Sequence, residues 1–136
     1  MSKKLPIFAR TMLLCERVFE KNGIYTLENP LIEIVGVTGV DKDLVIDRLF
    51  LYVQMAGGLG RYNLSAQVRA LTSDFVLGRS STKPVEFSSD RTQIEERLFQ
   101  FDNLLFPRSG LYEFQLIANY AEIEDGAAYL RVNLEE

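Results

Sequence analysis

The sequence predicts an all-β protein: an antiparallel β-sandwich of about eight strands, immunoglobulin-like or a similar Greek key, with room for one short helix. Apolar and polar residues alternate with a period of two over several segments, and Gly, Pro, Asn and Asp turns separate these segments at short intervals. The chain also lacks the helical crossovers that a parallel sheet requires. Its 136 residues suit one domain, which we assign to residues 1–136.

The clearest alternation runs over residues 61–70, where Tyr, Leu, Ala and Val occupy the even positions and polar residues most of the odd ones. Residues 48–55 also alternate, but the second face carries Phe50 and Tyr52, so either face could be buried. The glycine-rich segment 56–60 lies between the two and predicts a tight turn. Together these segments predict a long β-hairpin.

The C-terminal third predicts a second hairpin. Residues 112–118 and 129–134 alternate in the same way, and the turn between them is expected at residues 124–126, which read Glu-Asp-Gly. Residues 94–106 are strand-like and are ended by Pro107 and Gly110.

The N-terminal third is open to two interpretations. Residues 7–19 place apolar side chains at helical spacing, but Asn22-Gly23 is the preferred pair for a two-residue hairpin turn, and we favour a strand. Residues 31–37 predict a further strand. A short helical turn is expected over residues 90–96, with Asp90 as its N-cap.

Two segments carry a resemblance to known proteins. Residues 12–18, reading MLLCERV, and residues 104–116, reading LLFPRSGLYEFQL, together with Tyr52-Val53-Gln54 before the glycine turn, resemble a family of uncharacterised bacterial β-sandwich domains. The resemblance implies a sandwich fold and a bacterial origin, and it implies no activity. Tyr112 follows the Pro-x-x-Gly turn and resembles a tyrosine corner, whose hydroxyl bonds to nearby backbone.

Residue usage excludes several kinds of chemistry. The chain has no histidine and one cysteine, Cys15, so the usual Ser-His-Asp and Cys-His catalysis, histidine-ligated zinc and an intrachain disulfide are excluded. No cofactor fingerprint is present, and we expect no cofactor. A carboxylate-based enzyme acting on a carbohydrate stays an alternative, and its candidate acids are Glu33, Asp47, Asp102 and Glu113.

Acidic loops support a further alternative, a Ca²⁺-dependent binding module. Asp41 and Asp43 are weak metal candidates, together with the acids of residues 122–125. No metal site is predicted outright, because aspartate is also a common turn residue.

The remaining features favour a non-catalytic binding, scaffold or assembly module of a bacterial cell. A net charge of −4 without a basic stripe argues against nucleic acid, and no apolar run is long enough to cross a membrane, so a cytoplasmic location is expected. The expected partner is another protein or a second copy of the chain. The candidate binding residues are Leu105, Phe106, Tyr129 and Arg131, which are aromatic, apolar or arginine side chains of the kind enriched at interfaces.

Overall fold

The computed structural model describes residues 7–37, 44–88, 92–119 and 121–135. These residues form two packed sheets, a β-sandwich, as predicted. Sheet A has the order β2-β1-β4-β8, and sheet B has the order β3-β10-β9-β5-β6, with β7 also paired to β5. The strands are β1 (Phe8–Lys21), β2 (Ile24–Pro30), β3 (Glu33–Val37), β4 (Leu44–Ala56), β5 (Gly60–Ala70), β6 (Val76–Arg79), β7 (Lys83–Phe87), β8 (Ile94–Phe106), β9 (Gly110–Ala118) and β10 (Ala121–Glu135).

The N-terminal segment is a strand, so the helical alternative is wrong. Asn22 and Gly23 adopt positive φ angles of 53° and 77°, which is the backbone of a two-residue hairpin turn between β1 and β2. No helix occurs within the described ranges. The expected helical turn at Asp90 lies outside them, and the chain is already a strand from Ile94.

The pairing is antiparallel with one exception. β3 runs parallel to β10, with Glu33 opposite Arg131. The two strands are far apart in sequence, so no helical crossover is needed to bring them together.

The predicted hairpin over residues 48–70 does not form. β4 belongs to sheet A and β5 to sheet B, so the glycine-rich segment crosses between sheets. A Cβ on Gly58 would lie 2.5 Å from Cδ2 of the buried Phe87 ring, which explains a glycine where the crossing chain passes over the core. Glycine therefore marks a close approach here rather than a hairpin turn.

β9 and β10 pair as predicted, but the turn between them comes earlier, at Asn119. The expected turn at Gly126 instead lies inside β10, where the register shifts. A Cβ on Gly126 would lie 2.6 Å from that of Ala9, so this glycine lets β1 of the other sheet pass close to β10.

Tyr112 makes the predicted corner contact. Its hydroxyl donates a hydrogen bond of 2.7 Å to the Arg108 carbonyl oxygen, and its ring packs edge-on against Phe106, 4.9 Å between centroids. The tyrosine thereby fixes the chain where it crosses from β8 of sheet A to β9 of sheet B.

Replacing Tyr112 with phenylalanine is expected to lower the free energy of unfolding by about 1 kcal/mol, because it removes one hydrogen bond and keeps the packing. Urea denaturation at equilibrium measures the change. The Tyr25→Phe variant serves as a comparison, because it also removes a tyrosine hydroxyl but lies in the β1–β2 hairpin, away from the corner. An unchanged midpoint for Tyr112→Phe would contradict a role for the corner in stability.

Candidate binding surface

The outer face of sheet A, the one turned away from the core, is unusually apolar. The core takes the side chains of Leu14, Leu51 and Phe99 from β1, β4 and β8. Their neighbours in sequence point the other way, yet many of these are also apolar. We call this set the apolar face: Phe8, Leu13, Cys15, Phe50, Tyr52, Ala56, Ile94 and Leu98.

Cross-strand register arranges these residues in rows. Leu13 of β1 lies opposite Tyr52 of β4, which in turn lies opposite Leu98 of β8. A second row of Phe8, Ala56 and Ile94 crosses the same strands. Side chains directly opposite each other are in contact range, so each row is an apolar band across three strands, and one polar row lies between the two.

The β1–β2 hairpin bends back over part of this face. Tyr25 pairs with Glu20, five residues beyond Cys15, which is the last β1 residue paired with β4. A straight strand would carry Tyr25 about 17 Å further away. Its ring centroid nevertheless lies 6.0 Å from that of Tyr52, in an edge-on contact at 65°.

Two residues of the apolar face in the rows at and beside the Tyr25–Tyr52 contact are buried. Cys15 is fully buried and Tyr52 nearly so, although neither belongs to the core between the sheets. Burial raises the pKa of the Cys15 thiol to about 11 and, with a hydrogen bond to the Glu96 carboxylate, the pKa of Tyr52 to about 12. Both groups are therefore neutral at physiological pH.

Replacing Tyr25 with alanine is expected to raise the rate at which Cys15 reacts with a thiol reagent by about tenfold. The substitution removes an aromatic contact worth roughly 1 kcal/mol along with buried ring area, so the hairpin opens more often. The rate is measured with an aromatic disulfide reagent at pH 8. Phe19→Ala is the matched control, because that ring is on the same hairpin but largely exposed. Equal rates for both variants would show that the hairpin does not shield the thiol.

Stability should also fall at alkaline pH. The pKa of the Cys15 thiol is raised on folding from 9.0 to about 11. The contribution of the neutral thiol to the free energy of unfolding is therefore fully present below pH 9 and is lost as the pH rises towards 11. The expected loss is on the order of 2 kcal/mol. Urea titrations between pH 8 and pH 11 should show a steeper decline for the wild type than for Cys15→Ala. Parallel declines would contradict this assignment.

Three residues of the apolar face are open to solvent. Phe8 and Leu13 each keep 41% of their surface exposed, and Ile94 keeps 45%. These side chains flank the part that the hairpin covers.

The predicted binding residues Leu105 and Phe106 do not act together. Phe106 is fully buried in the core, so it does not line a surface, whereas Leu105 is exposed beside Val45 on the outer side of sheet A. The alternation changes phase at Asn103, whose φ of 53° leaves Asp102 and Asn103 both exposed. This irregularity turns Phe106 inwards.

Tyr129 and Arg131 are exposed on the outer face of sheet B, away from Leu105. The Tyr129 hydroxyl donates to Oε2 of Glu113 at 3.1 Å, and Arg69 contacts Oε1 of the same carboxylate at 2.9 Å. The bond to Glu113 raises the pKa of Tyr129 above its ordinary value. Arg69, Glu113 and Tyr129 thus form a polar row across three strands of this face. Among the described residues, the strands of sheet B carry fewer exposed large apolar side chains than those of sheet A.

The candidate catalytic acids are divided between the two sheets. Asp47 and Asp102 lie on strands of sheet A, and Glu33 and Glu113 on strands of sheet B. Asp102 lies 3.8 Å from Arg48, and Glu113 is held by Arg69. Acids on different sheets are separated by the core, so Asp47 and Asp102 do not face Glu33 or Glu113 across a cleft of the kind that glycoside hydrolysis requires.

The weak metal candidates Asp41 and Asp43 lie outside the described residues. Within the described part of the chain, no group of three or more potential metal ligands comes together. In the same part, no helix is long and apolar enough to span a membrane.

Sequence reasoning missed Phe8, Leu13 and Ile94 as surface candidates. The available signal was β4, in which Phe50 and Tyr52 make the second face apolar as well. A strand that is apolar on both faces indicates a sheet covered on both sides.

Comparison with known proteins shows a similar fold but assigns no family. No protein-family model and no curated protein matches the chain. Among solved structures, the alkylpurine DNA glycosylase AlkC of Pseudomonas fluorescens, bound to DNA containing an abasic site analogue, aligns over 96% of this chain with a TM-score of 0.50 and 7% identity. The aligned part is 31% of that protein, so this chain spans less than a third of its length. The likeness concerns the fold alone.

A looser likeness links the chain to the CARDB domain of a Pyrococcus furiosus protein solved in complex with di-metal ions. It covers 99% of this chain and 95% of that one, with 12% identity and a TM-score of 0.47. At this level the resemblance does not bear on function.

Proposed function

We propose that the protein is a non-catalytic binding or assembly module that docks a protein surface onto the apolar face. The single observation that carries this proposal is the exposure of Phe8, Leu13 and Ile94 on the outer side of sheet A, where Leu13 lies beside the Tyr52 ring that the hairpin covers. An outer sheet face in a monomeric sandwich is normally polar. Large apolar side chains exposed together on one face are typical of interaction sites.

The chemistry of the face fits a protein rather than a nucleic acid. None of the eight residues that define it is basic, and phosphate contacts require lysine or arginine. Polar residues lie among these apolar side chains, with Thr11, Gln54 and Glu96 forming a row between the two apolar rows. A protein interface of this type has apolar anchors with polar residues around them.

The proposal includes a bacterial, cytoplasmic setting. The chain has no histidine, and two of the candidate acids, Asp102 and Glu113, each lie beside an arginine, which favours binding over carboxylate catalysis. A free and buried Cys15 suits a reducing compartment.

Two kinds of partner fit this chemistry, another protein and a second copy of the chain. Two measurements distinguish them. Sedimentation velocity at micromolar concentration measures self-association, and affinity capture from the native host measures other partners. The double variant Leu13→Ser, Ile94→Ser should no longer bind the partner that the wild type binds, whether a second copy or another protein. The control Val35→Ser, which alters an exposed apolar residue on sheet B, should retain it. Equal retention by both variants would refute the assignment of the face.

A further inference from the structure

A second site is independent of the apolar face: a cleft at the end of the sandwich, between the turn that joins β5 to β6 and the corner that joins β8 to β9. Its volume is about 380 Å³. Pockets that hold small ligands typically enclose about 300–1,000 Å³. The lining comes from residues 70–77 and 107–112 and includes no residue of the apolar face.

The walls of the cleft are fixed by backbone hydrogen bonds. The amide of Ala70 donates to the Phe75 carbonyl at 2.9 Å, and the amide of Leu71 donates to the Leu111 carbonyl at 3.1 Å. On the other side, the Tyr112 hydroxyl holds the Arg108 carbonyl, and Ser109 Oγ accepts from the Leu134 amide at 2.8 Å. A cleft held in this way is preformed, so the protein loses little conformational entropy when a ligand binds.

The interior of the cleft is mainly apolar. Phe75, Leu77, Pro107 and Leu111 contribute to its lining, and Phe75 keeps 63% of its surface exposed. Asp74, with a φ of 55°, turns the chain immediately before Phe75. An exposed phenylalanine beside a preformed cleft offers a contact surface for an apolar group.

One charged side chain lines this cleft, that of Arg108, and no aspartate or glutamate does. Within the described ranges, Arg108 makes no ion pair, unlike Arg69, which is paired with Glu113. An arginine next to an apolar wall suits a carboxylate, since the planar guanidinium can donate two parallel hydrogen bonds to it. Hydroxyl groups of Thr72 and Ser73 offer further donors.

We propose that this cleft binds a carboxylate that carries an apolar group, with the apolar part against Phe75 and the carboxylate on Arg108. The C-terminal residue of a polypeptide and a free hydrophobic acid both present this chemistry. The proposal needs neither a partner on the apolar face nor any opening of the hairpin.

The test uses N-acetyl-phenylalanine and its uncharged amide as paired probes, followed by NMR of the full-length protein. The acid is expected to shift the amide signals of residues 70–77 and 107–112 and to bind about tenfold more tightly than the amide. Arg108→Gln should reduce the affinity for the acid to that for the amide. Arg61→Gln, which alters an exposed arginine outside this cleft, should leave the preference unchanged.

A second pair of probes distinguishes the two sources of the carboxylate. A hexapeptide ending in free phenylalanine is compared with decanoate, and the tighter ligand indicates whether a chain terminus or a free acid is the natural type. Phe75→Ser should weaken both, and its unfolding curve verifies that the fold is retained. Equal binding of acid and amide, or an unchanged acid preference in Arg108→Gln, would overturn the proposal.

Discussion

Replacing Phe101 with alanine is expected to lower the free energy of unfolding by about 3–5 kcal/mol, the cost of deleting a buried phenylalanine. Phe101 of β8 is buried at the centre of the core, and its ring packs edge-on against Phe114 of β9, 5.3 Å between centroids. The two rings belong to different sheets, so their contact joins the two layers. The loss is large compared with the 5–15 kcal/mol that typically stabilises a domain.

Equilibrium urea denaturation measures the effect of Phe101→Ala. Phe19→Ala is the matched control, because the same side chain is lost from a largely exposed position, and its effect should stay within about 0.5 kcal/mol. Similar losses for the two variants would mean that Phe101 does not occupy the core as described.

Replacing Glu113 with glutamine is expected to destabilise the protein by about 2–3 kcal/mol. Glu113 is buried on the outer side of sheet B, with Oε1 2.9 Å from Arg69 and Oε2 accepting from Tyr129 at 3.1 Å. Glutamine keeps the shape but removes the charge opposite the partly exposed Arg69, whose other carboxylate partner, Asp74, is more distant at 3.8 Å.

Two further variants test the origin of that loss. Glu86→Gln removes a carboxylate from an exposed pair, 3.6 Å from Arg61, and should cost less than about 1 kcal/mol. The double variant Arg69→Met, Glu113→Leu should recover much of the loss, since no buried charge then remains at that position. If the Glu113→Gln protein were as stable as Glu86→Gln, the Glu113–Arg69 pair would stabilise the fold no more than an exposed ion pair does, contrary to this prediction.

Local sequence patterns predicted the features that depend on local chemistry. The alternation in β5 and β9, the Asn22-Gly23 turn and the corner contact of Tyr112 are each determined by residues close together in the chain. Period-two patterning and turn chemistry are sufficient for such features.

The features that were missed depend on contacts between distant segments. The glycines of residues 56–60 suit a hairpin turn as well as a crossing between sheets, and only the contact of Gly58 with Phe87 decides between them. Likewise, no local signal indicates that Tyr25 would cover Tyr52. The phase change at Asn103, which buries Phe106, is a single backbone irregularity that alternation alone cannot locate.

The candidate surface was therefore only partly predictable. The sequence predicted that exposed apolar residues would form a partner surface, and Leu105 is exposed on the outer side of sheet A. Phe8, Leu13 and Ile94 were missed because β1, β4 and β8, which are distant in sequence, must be paired in register before these residues lie on one face.

Site-specific photo-crosslinking in the native host tests the central claim most directly. A photoreactive residue is placed at Leu13 on the apolar face, at Tyr129 on the outer face of sheet B, and at the exposed Asn63 as a control. The proposal predicts one discrete crosslinked species at Leu13, which disappears with the added Ile94→Ser substitution, and none at Asn63. A discrete product at Tyr129 with nothing at Leu13 would move the interface to the other sheet and contradict the account.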